Sequence, residues 1–184
     1  MGRIGFSLSP LSMPDVADIT ALLSRSQAAL LAAAQTVPDD TWRKAPSPGA
    51  WSAAEVLAHL TMVEEAITGG VARMLAVPPK QLPFWKRIHF PPRVAQLRQI
   101  KRRTPIPLDP ALVLEKAESL ARHTALRKRA LELLTENAGR DLSAYRHKHP
   151  FFGYLNFYEW FSTIGYHELR HTEQIQEIVE VFQK

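Results

Sequence analysis

Cysteine is absent from the 184-residue sequence. This absence excludes disulfide bonds, thiolate nucleophiles, iron–sulfur clusters and cysteine-ligated zinc sites, and it fits a reducing compartment. Long apolar runs are also missing, because the longest, at residues 28–34, is too short to span a bilayer. The first 14 residues lack the apolar stretch of a secretion signal. We therefore expect a soluble, cytoplasmic protein without a membrane span.

Acidic residues are missing from one long stretch, residues 77–108, which holds eight basic residues. The formal net charge of the chain is +5, whereas the remaining 15 basic and 18 acidic residues give the rest of the chain a charge of −3. The basic excess therefore lies in one segment, and the pI of about 9.7 does not describe the whole surface.

Prolines concentrate in the same region, where eight of the 14 lie between Pro78 and Pro110. The proline-poor segments outside it show the apolar periodicity of helices. We predict helices at about residues 15–36, 52–77, 110–137 and 154–182, and we find no strand periodicity. The second and fourth predicted helices begin with the residue spacing of a capping box, which is Ser52 with Glu55 and Asn156 with Glu159.

Four helices of this length predict an all-α four-helix bundle. We expect a single domain over residues 1–184, with an N-terminal extension at 1–14 and a long proline-rich, basic crossover segment at 77–109. A crossover of that length allows consecutive helices to run parallel. The preferred arrangement therefore has the second and third helices parallel.

Three of the seven histidines lie on apolar helix stripes. His59 falls on the stripe of the second helix, and His167 and His171 share one face of the fourth helix at i, i+4 spacing. An unsatisfied buried imidazole costs about 1–3 kcal/mol, whereas a divalent metal satisfies one nitrogen of each ring. This pattern favours a zinc, nickel or iron site. Core histidines bonded to carbonyls or tyrosine hydroxyls remain the alternative.

Other polar residues near these histidines have structural explanations. Glu55 fits the capping box, His149 fits a turn, and Glu168 and Arg170 fit solvated or inter-helix positions. We expect surface or loop positions for the remaining histidines, which are His89, His123 and His147.

The crossover mixes aromatic and basic residues, most densely at residues 83–92. This composition suits a membrane surface or an anionic partner. It also suits a segment whose aromatic side chains pack over the bundle while its cations, between residues 80 and 103, face solvent or an anionic substrate. We favour the packed segment without a partner of its own, and no nucleic-acid-binding motif is present, so we expect no nucleic-acid partner.

Several motifs together resemble the DinB-like superfamily of four-helix bundles, of the DinB_2 type, which are described as metalloenzymes. Trp51–Leu60 is similar to the second-helix motif of that family. Three stretches are similar to the last-helix motif of the family, namely His149–Leu155, Glu159 with Trp160, and His167–Ile175. The resemblance covers most of the chain and keeps the order of the elements, although the basic crossover is unusual for the family.

The resemblance implies an up-down-down-up bundle and one divalent metal ion with the ligands His59, His167 and His171. Characterised relatives include transferases of low-molecular-weight thiols and a thiol-dependent maleylpyruvate isomerase. We therefore expect a metal-dependent thiol S-transferase or hydrolase that activates a small thiol or water against a small electrophilic, in some cases anionic, substrate. The alternative is a non-enzymatic bundle that binds a metal or small ligand. The resemblance also suggests a homodimer.

Overall fold

Four α-helices form the framework of the protein in the computed structural model, which describes residues 15–97 and 107–183. They are α1 (Val16–Thr36), α2 (Ala53–Leu75), α3 (Lys116–Glu136) and α4 (Phe157–Phe182). The predicted N-terminal extension and the basic residues at positions 98–103 lie outside the described residues. None of the described helices is both long enough and apolar enough to cross a membrane.

Side-chain caps define where three of the helices begin. Asp15 caps α1 by accepting a backbone N–H from its first turn. Ser52 and Glu55 form a capping box at α2, and Asn156 and Glu159 form another at α4. Each box satisfies amide groups that have no partner within the helix. The predicted starts of the first two helices, the two predicted capping boxes and the capping role of Glu55 are therefore confirmed, whereas α4 begins at Phe157, three residues after its predicted start.

The predicted start of α3 is wrong. The helix begins at Lys116, after a separate 3-10 turn at Pro110–Leu112. The carbonyl groups between the two accept hydrogen bonds from side chains of the α1–α2 connection. Arg43 donates to the carbonyl of Val113 at 2.6 Å, and the Trp42 indole donates to that of Leu114 at 3.0 Å.

The absence of strands was also predicted wrongly. Residues 146–149 (β1) and 153–156 (β2) form an antiparallel hairpin directly before α4. Its register pairs Arg146 with Asn156 and His149 with Gly153. Each strand has only four residues, which is too short to show an alternating pattern in the sequence.

The two apolar clusters of the bundle define the direction of each helix. One cluster joins the end of α1, the start of α2 and the end of α4, through residues that include Leu30, Leu57 and Ile175. The other joins the start of α1, the ends of α2 and α3, and the start of α4. Helices α1 and α4 are therefore parallel, and α2 and α3 run the opposite way. The predicted up-down-down-up bundle with parallel second and third helices is confirmed.

A glycine allows α1 to approach α4 closely. A Cβ atom at Gly165 would lie 2.7 Å from Cγ of Leu22, inside van der Waals contact. Glycine within a helix costs about 1 kcal/mol relative to alanine, so this position is explained by the close contact. The same turn of α4 carries His167.

The described part of the crossover packs along the outside of the bundle. A 3-10 turn at Pro92–Gln96 lies against α4 and buries Ala95, and His89 hydrogen-bonds Glu159. The segment is therefore packed on the bundle at these two places within residues 77–97. The predicted packing of its aromatic side chains is wrong, because Phe84, Trp85 and Phe90 are exposed to solvent.

Candidate metal centre

The three histidines that the sequence singled out meet between α2 and α4. The Nε2 atom of His167 lies 3.3 Å from Nε2 of His59 and 3.2 Å from Nε2 of His171. His59 and His171 are buried, whereas His167 is partly accessible. One ring nitrogen of each residue therefore points toward a common centre.

The spacing of these nitrogens fits a tetrahedral metal. Zinc–nitrogen bonds of about 2.0–2.1 Å at tetrahedral angles place neighbouring ligand nitrogens about 3.3 Å apart. Hydrogen bonding alone satisfies the cluster poorly, because Nε2 of His167 contacts two other ring nitrogens and carries at most one proton. The donor set of three imidazoles therefore fits a zinc, nickel or ferrous ion.

The surroundings of the cluster orient the rings. The side-chain oxygen of Gln174 lies 2.8 Å from Nδ1 of His171, so this nitrogen donates and Nε2 keeps its lone pair toward the centre. The indole of Trp51 lies against the rings of His59 and His171, with centroids 5.0 and 6.4 Å away. Nδ1 of His59 is buried without a hydrogen-bond partner among the described residues.

The electrostatic environment keeps two of these imidazoles neutral. Burial lowers the pKa of His59 to about 4. Although His167 is partly accessible to solvent, the atoms packed around its ring desolvate it and hold its pKa well below the ordinary value, and the neighbouring His171, His59 and Arg170 lower it further. Both rings are therefore uncharged at neutral pH, which is the form that binds metals.

A second polar group lies in the core next to these histidines and was missed by sequence reasoning. Arg127 of α3 donates from Nε and Nη2 to the two carboxylate oxygens of Glu64 at 2.7 and 2.9 Å. Its Nη2 atom also lies 3.0 Å from Glu168, and its Nη1 atom donates to the carbonyl of Leu23. Four helices are thus joined by one buried guanidinium.

His123 and Ser26 complete this buried network. Nε2 of His123 lies 2.7 Å from Glu168 Oε1, and the Ser26 hydroxyl donates to the other oxygen of that carboxylate. Burial opposes the charge of Glu168, but the hydrogen bond from His123 and the charge of Arg127 lower its pKa overall. Burial likewise opposes the charge of Arg127, but hydrogen bonds and charges from Glu64 and Glu168 raise its pKa.

The predicted surface or loop position of His123 is wrong, because its side chain is only 1% exposed. The expected inter-helix role of Glu168 is confirmed. Glu64, His123 and Glu168 bring their oxygen and nitrogen atoms close enough for a metal ion. The guanidinium of Arg127 already contacts both carboxylates, and His123 contacts Glu168 as well, so we assign this group to ion pairing between helices.

Three further histidines lie near the hairpin or the crossover. His149 ends β1, and its Nδ1 accepts the backbone N–H groups of Phe151 and Phe152, so its predicted turn role is confirmed. His147 is exposed on β1. His89 lies in the crossover as predicted, but its Nε2 atom is 2.7 Å from Glu159, which gives it an anchoring contact.

The sequence matches the family model of the DinB superfamily over residues 22–175. The chain belongs to the DinB superfamily. "Uncharacterized protein YuaE" of Bacillus subtilis (strain 168) is 29% identical in an alignment of 153 residues that covers 79% of this chain and 88% of that protein. The crystal structure of TT2238, described as a four-helix bundle protein, is similar with a TM-score of 0.60 and 22% identity. That similarity covers 89% of this chain and 99% of the other.

Membership of the DinB superfamily agrees with the resemblance seen in the sequence motifs. DinB-like proteins are metal-binding in general, and this chain brings His59, His167 and His171 together as a candidate group. The likeness to TT2238 is one of fold, and it agrees with the four-helix architecture.

Proposed function

We propose that the protein is a metal-dependent enzyme that activates a low-molecular-weight thiol or water against a small electrophile. His59, His167 and His171 are the proposed ligands of one zinc, nickel or iron ion. The observation that carries this proposal is that Nε2 of His167 lies 3.3 Å from Nε2 of His59 and 3.2 Å from Nε2 of His171, with one ligand atom of each of the three residues within 4.8 Å of the others. An ion held there would act as a Lewis acid and lower the pKa of a bound thiol or water.

The ligand set supports catalysis because it leaves coordination positions open. Within the described part of the chain, the group contains three histidines and no fourth histidine or carboxylate ligand. Structural zinc sites use four protein ligands, whereas catalytic sites commonly use three. Three neutral imidazoles also leave the full positive charge of the ion available to a reactant.

The remaining residues of the site position the ligands and limit the access of water. Gln174 orients His171 through the contact to Nδ1. Trp51 covers His59 and His171 from the side of the α1–α2 connection. His167 is the more accessible ligand, so we propose that the reactant approaches from its side. The small-molecule substrate, the homodimer and the cytoplasmic location remain predictions.

A second candidate function, metal binding without catalysis, is favoured by the cavities of the bundle. A groove of about 450 Å³ is lined by α1 and α3, and a cavity of about 150 Å³ lies beside the crossover. None of the three histidines lines either of them. Neither of these two cavities therefore provides a substrate pocket beside the three histidines.

Activity of the metal-loaded protein distinguishes the two functions. Untagged protein is stripped with a chelator, reloaded with zinc, nickel or ferrous iron, and assayed with small thiols and a chromogenic electrophile, and with activated esters. We expect turnover that falls at least about 100-fold in His167→Ala, whereas the exposed His147→Ala control retains it. Turnover that is unchanged in His167→Ala would exclude the proposed enzyme. Stoichiometric metal without turnover would support the non-catalytic bundle.

The contact between Gln174 and His171 gives a prediction for metal affinity. Gln174→Ala removes the acceptor of the His171 Nδ1 proton, so we expect zinc affinity to fall about 10–100-fold. Competition titration against a chromogenic chelator measures the change. Gln176→Ala, at an exposed position of the same helix, is the matched control. Equal affinities of the two variants would show that the amide does not orient the ligand.

A further inference from the structure

We propose that the crossover docks the protein on the surface of a membrane that contains anionic phospholipids. The proposed docking segment is residues 80–93, and it is independent of the metal centre. Its exposed apolar side chains, its contacts to the bundle and its positive charge support this role.

The docking segment exposes four large apolar side chains within residues 84–90. The exposed fractions are 73% for Phe84, 60% for Trp85, 75% for Ile88 and 64% for Phe90. Single exposed apolar residues are ordinary on a protein surface, but a concentration of this kind is typical of a site that meets a partner or a membrane. Tryptophan and phenylalanine next to cations are typical of surfaces that lie in the lipid headgroup region.

Contacts to the bundle hold the docking segment in one orientation. His89 hydrogen-bonds Glu159 at the start of α4. Its Cβ atom sits over Gly153, where an added Cβ would approach to 3.1 Å. Side chains alternate along extended backbone, so the inward position of His89 directs Ile88 and Phe90 outward. The exposed side chains are therefore presented by a segment that is fixed from behind.

The charge of the docking segment complements an anionic surface. Lys80, Lys86, Arg87 and Arg93 are exposed, and no acidic residue occurs anywhere in residues 77–108. Cations near an anionic membrane surface each contribute attraction that falls off within a Debye length. The apolar and the electrostatic contributions therefore come from the same short segment.

A small cationic cavity adjoins the exposed aromatic residues. It has a volume of about 150 Å³, and Lys80, Arg87 and Arg146 line it together with Ser143 and uncharged neighbours. Nη1 of Arg146 donates to the carbonyl of Tyr154 at 3.2 Å and lies 3.5 Å from the carboxylate of Glu159, and these two contacts fix the guanidinium. Among the described residues no carboxylate lines the cavity itself, and Lys80 and Arg87 have no carboxylate partner there, so it offers a site for the phosphate of one lipid headgroup.

The same observations disfavour a second copy of the chain and a nucleic acid as the occupant. A two-fold interface would place the basic segment against an identical basic segment, which like-charge repulsion opposes. Nucleic acid would gain from stacking on Phe84 and Trp85, but Ile88, the most exposed of the four apolar residues, is aliphatic and offers no ring for stacking. Transfer of Ile88 and Phe90 from water into the acyl boundary of a bilayer is favourable.

Sedimentation with vesicles tests the proposal on the full-length protein. Vesicles of phosphatidylcholine alone are compared with vesicles that contain about 30% phosphatidylglycerol. We expect at least about tenfold stronger binding to the anionic vesicles, loss of most of this binding at about 0.5 M sodium chloride, and a blue shift of the tryptophan fluorescence that is absent in Trp85→Phe.

Matched variants assign the binding to the docking segment. We expect Lys80→Gln and Lys86→Gln each to weaken binding to anionic vesicles about fivefold, and the double variant F84S/I88S to abolish the blue shift. Lys128→Gln and Val181→Ser, at exposed positions on α3 and α4, are the controls and should bind normally. Circular dichroism melting curves check that each variant folds.

Three outcomes would overturn the proposal. The first is equal or no binding to neutral and anionic vesicles. The second is binding that the segment variants leave unchanged. The third is tighter binding to inorganic phosphate or to a short DNA duplex than to anionic vesicles, because this would assign the cations to a free anion or to nucleic acid.

Discussion

Arg127→Met is expected to lower the free energy of unfolding by about 3–5 kcal/mol, because it leaves two buried carboxylates without their cation. Arg127 bonds Glu64 through two nitrogens and lies 3.0 Å from Glu168. All three side chains are almost fully buried, so water does not replace the lost interactions. Urea denaturation of the metal-free protein, followed by far-UV circular dichroism, measures the change.

An exposed ion pair on the same helix provides the control for this prediction. Arg122, on the same helix, lies 3.5 Å from Glu65 at the surface, and Arg122→Met should cost less than about 1 kcal/mol. Replacing Arg127, Glu64 and Glu168 together by methionine should recover much of the lost stability, because no uncompensated charge then remains. Equal effects of Arg127→Met and Arg122→Met would show that the buried network contributes no more than a surface pair.

Zinc at about 1,000 times its dissociation constant is expected to raise the free energy of unfolding by about 4 kcal/mol. The gain requires an ion that binds the folded chain and not the unfolded chain, and His59 and His167 are adjacent only when α2 has packed on α4. His167→Ala should remove most of the gain. The measurement is the difference in urea midpoint between the chelator-treated and the zinc-loaded protein, for each variant.

Comparing each variant with and without zinc separates the loss of metal binding from a loss of stability in the metal-free fold. His147→Ala, at an exposed strand position, should keep the full zinc-dependent gain. A His167→Ala protein that zinc stabilises as much as the parent would exclude the three-histidine centre, even if its metal-free form were less stable.

The parts of the fold that could be predicted are those whose signals are local in sequence. Helices α1, α2 and α4 each have an apolar stripe, and α2 and α4 have capping boxes whose two members are three residues apart. The start of α3 depends instead on Trp42 and Arg43, about 70 residues away in the sequence, which bind the carbonyl groups just before it. No pattern within α3 contains that information.

The histidine cluster and the Arg127 network differ in the same way, because only the first has a signal that is local in the sequence. His59, His167 and His171 could be predicted because each interrupts an otherwise apolar stripe. On α3 the buried face is mixed, because Ser119, His123 and Arg127 are buried together with three apolar residues. Apolar periodicity does not identify these polar positions, since the partners that satisfy them come from α1, α2 and α4.

Glu159 serves three segments of the chain at once. Its Oε2 atom accepts the backbone N–H of Asn156 at 2.7 Å and lies 3.5 Å from Arg146, and its Oε1 atom lies 2.7 Å from His89. The crossover between α2 and α3 therefore contributes, through His89, to the hydrogen bonding at the start of α4. Any attempt to replace that crossover with a short linker would need a new donor opposite Glu159 to keep the helix start intact.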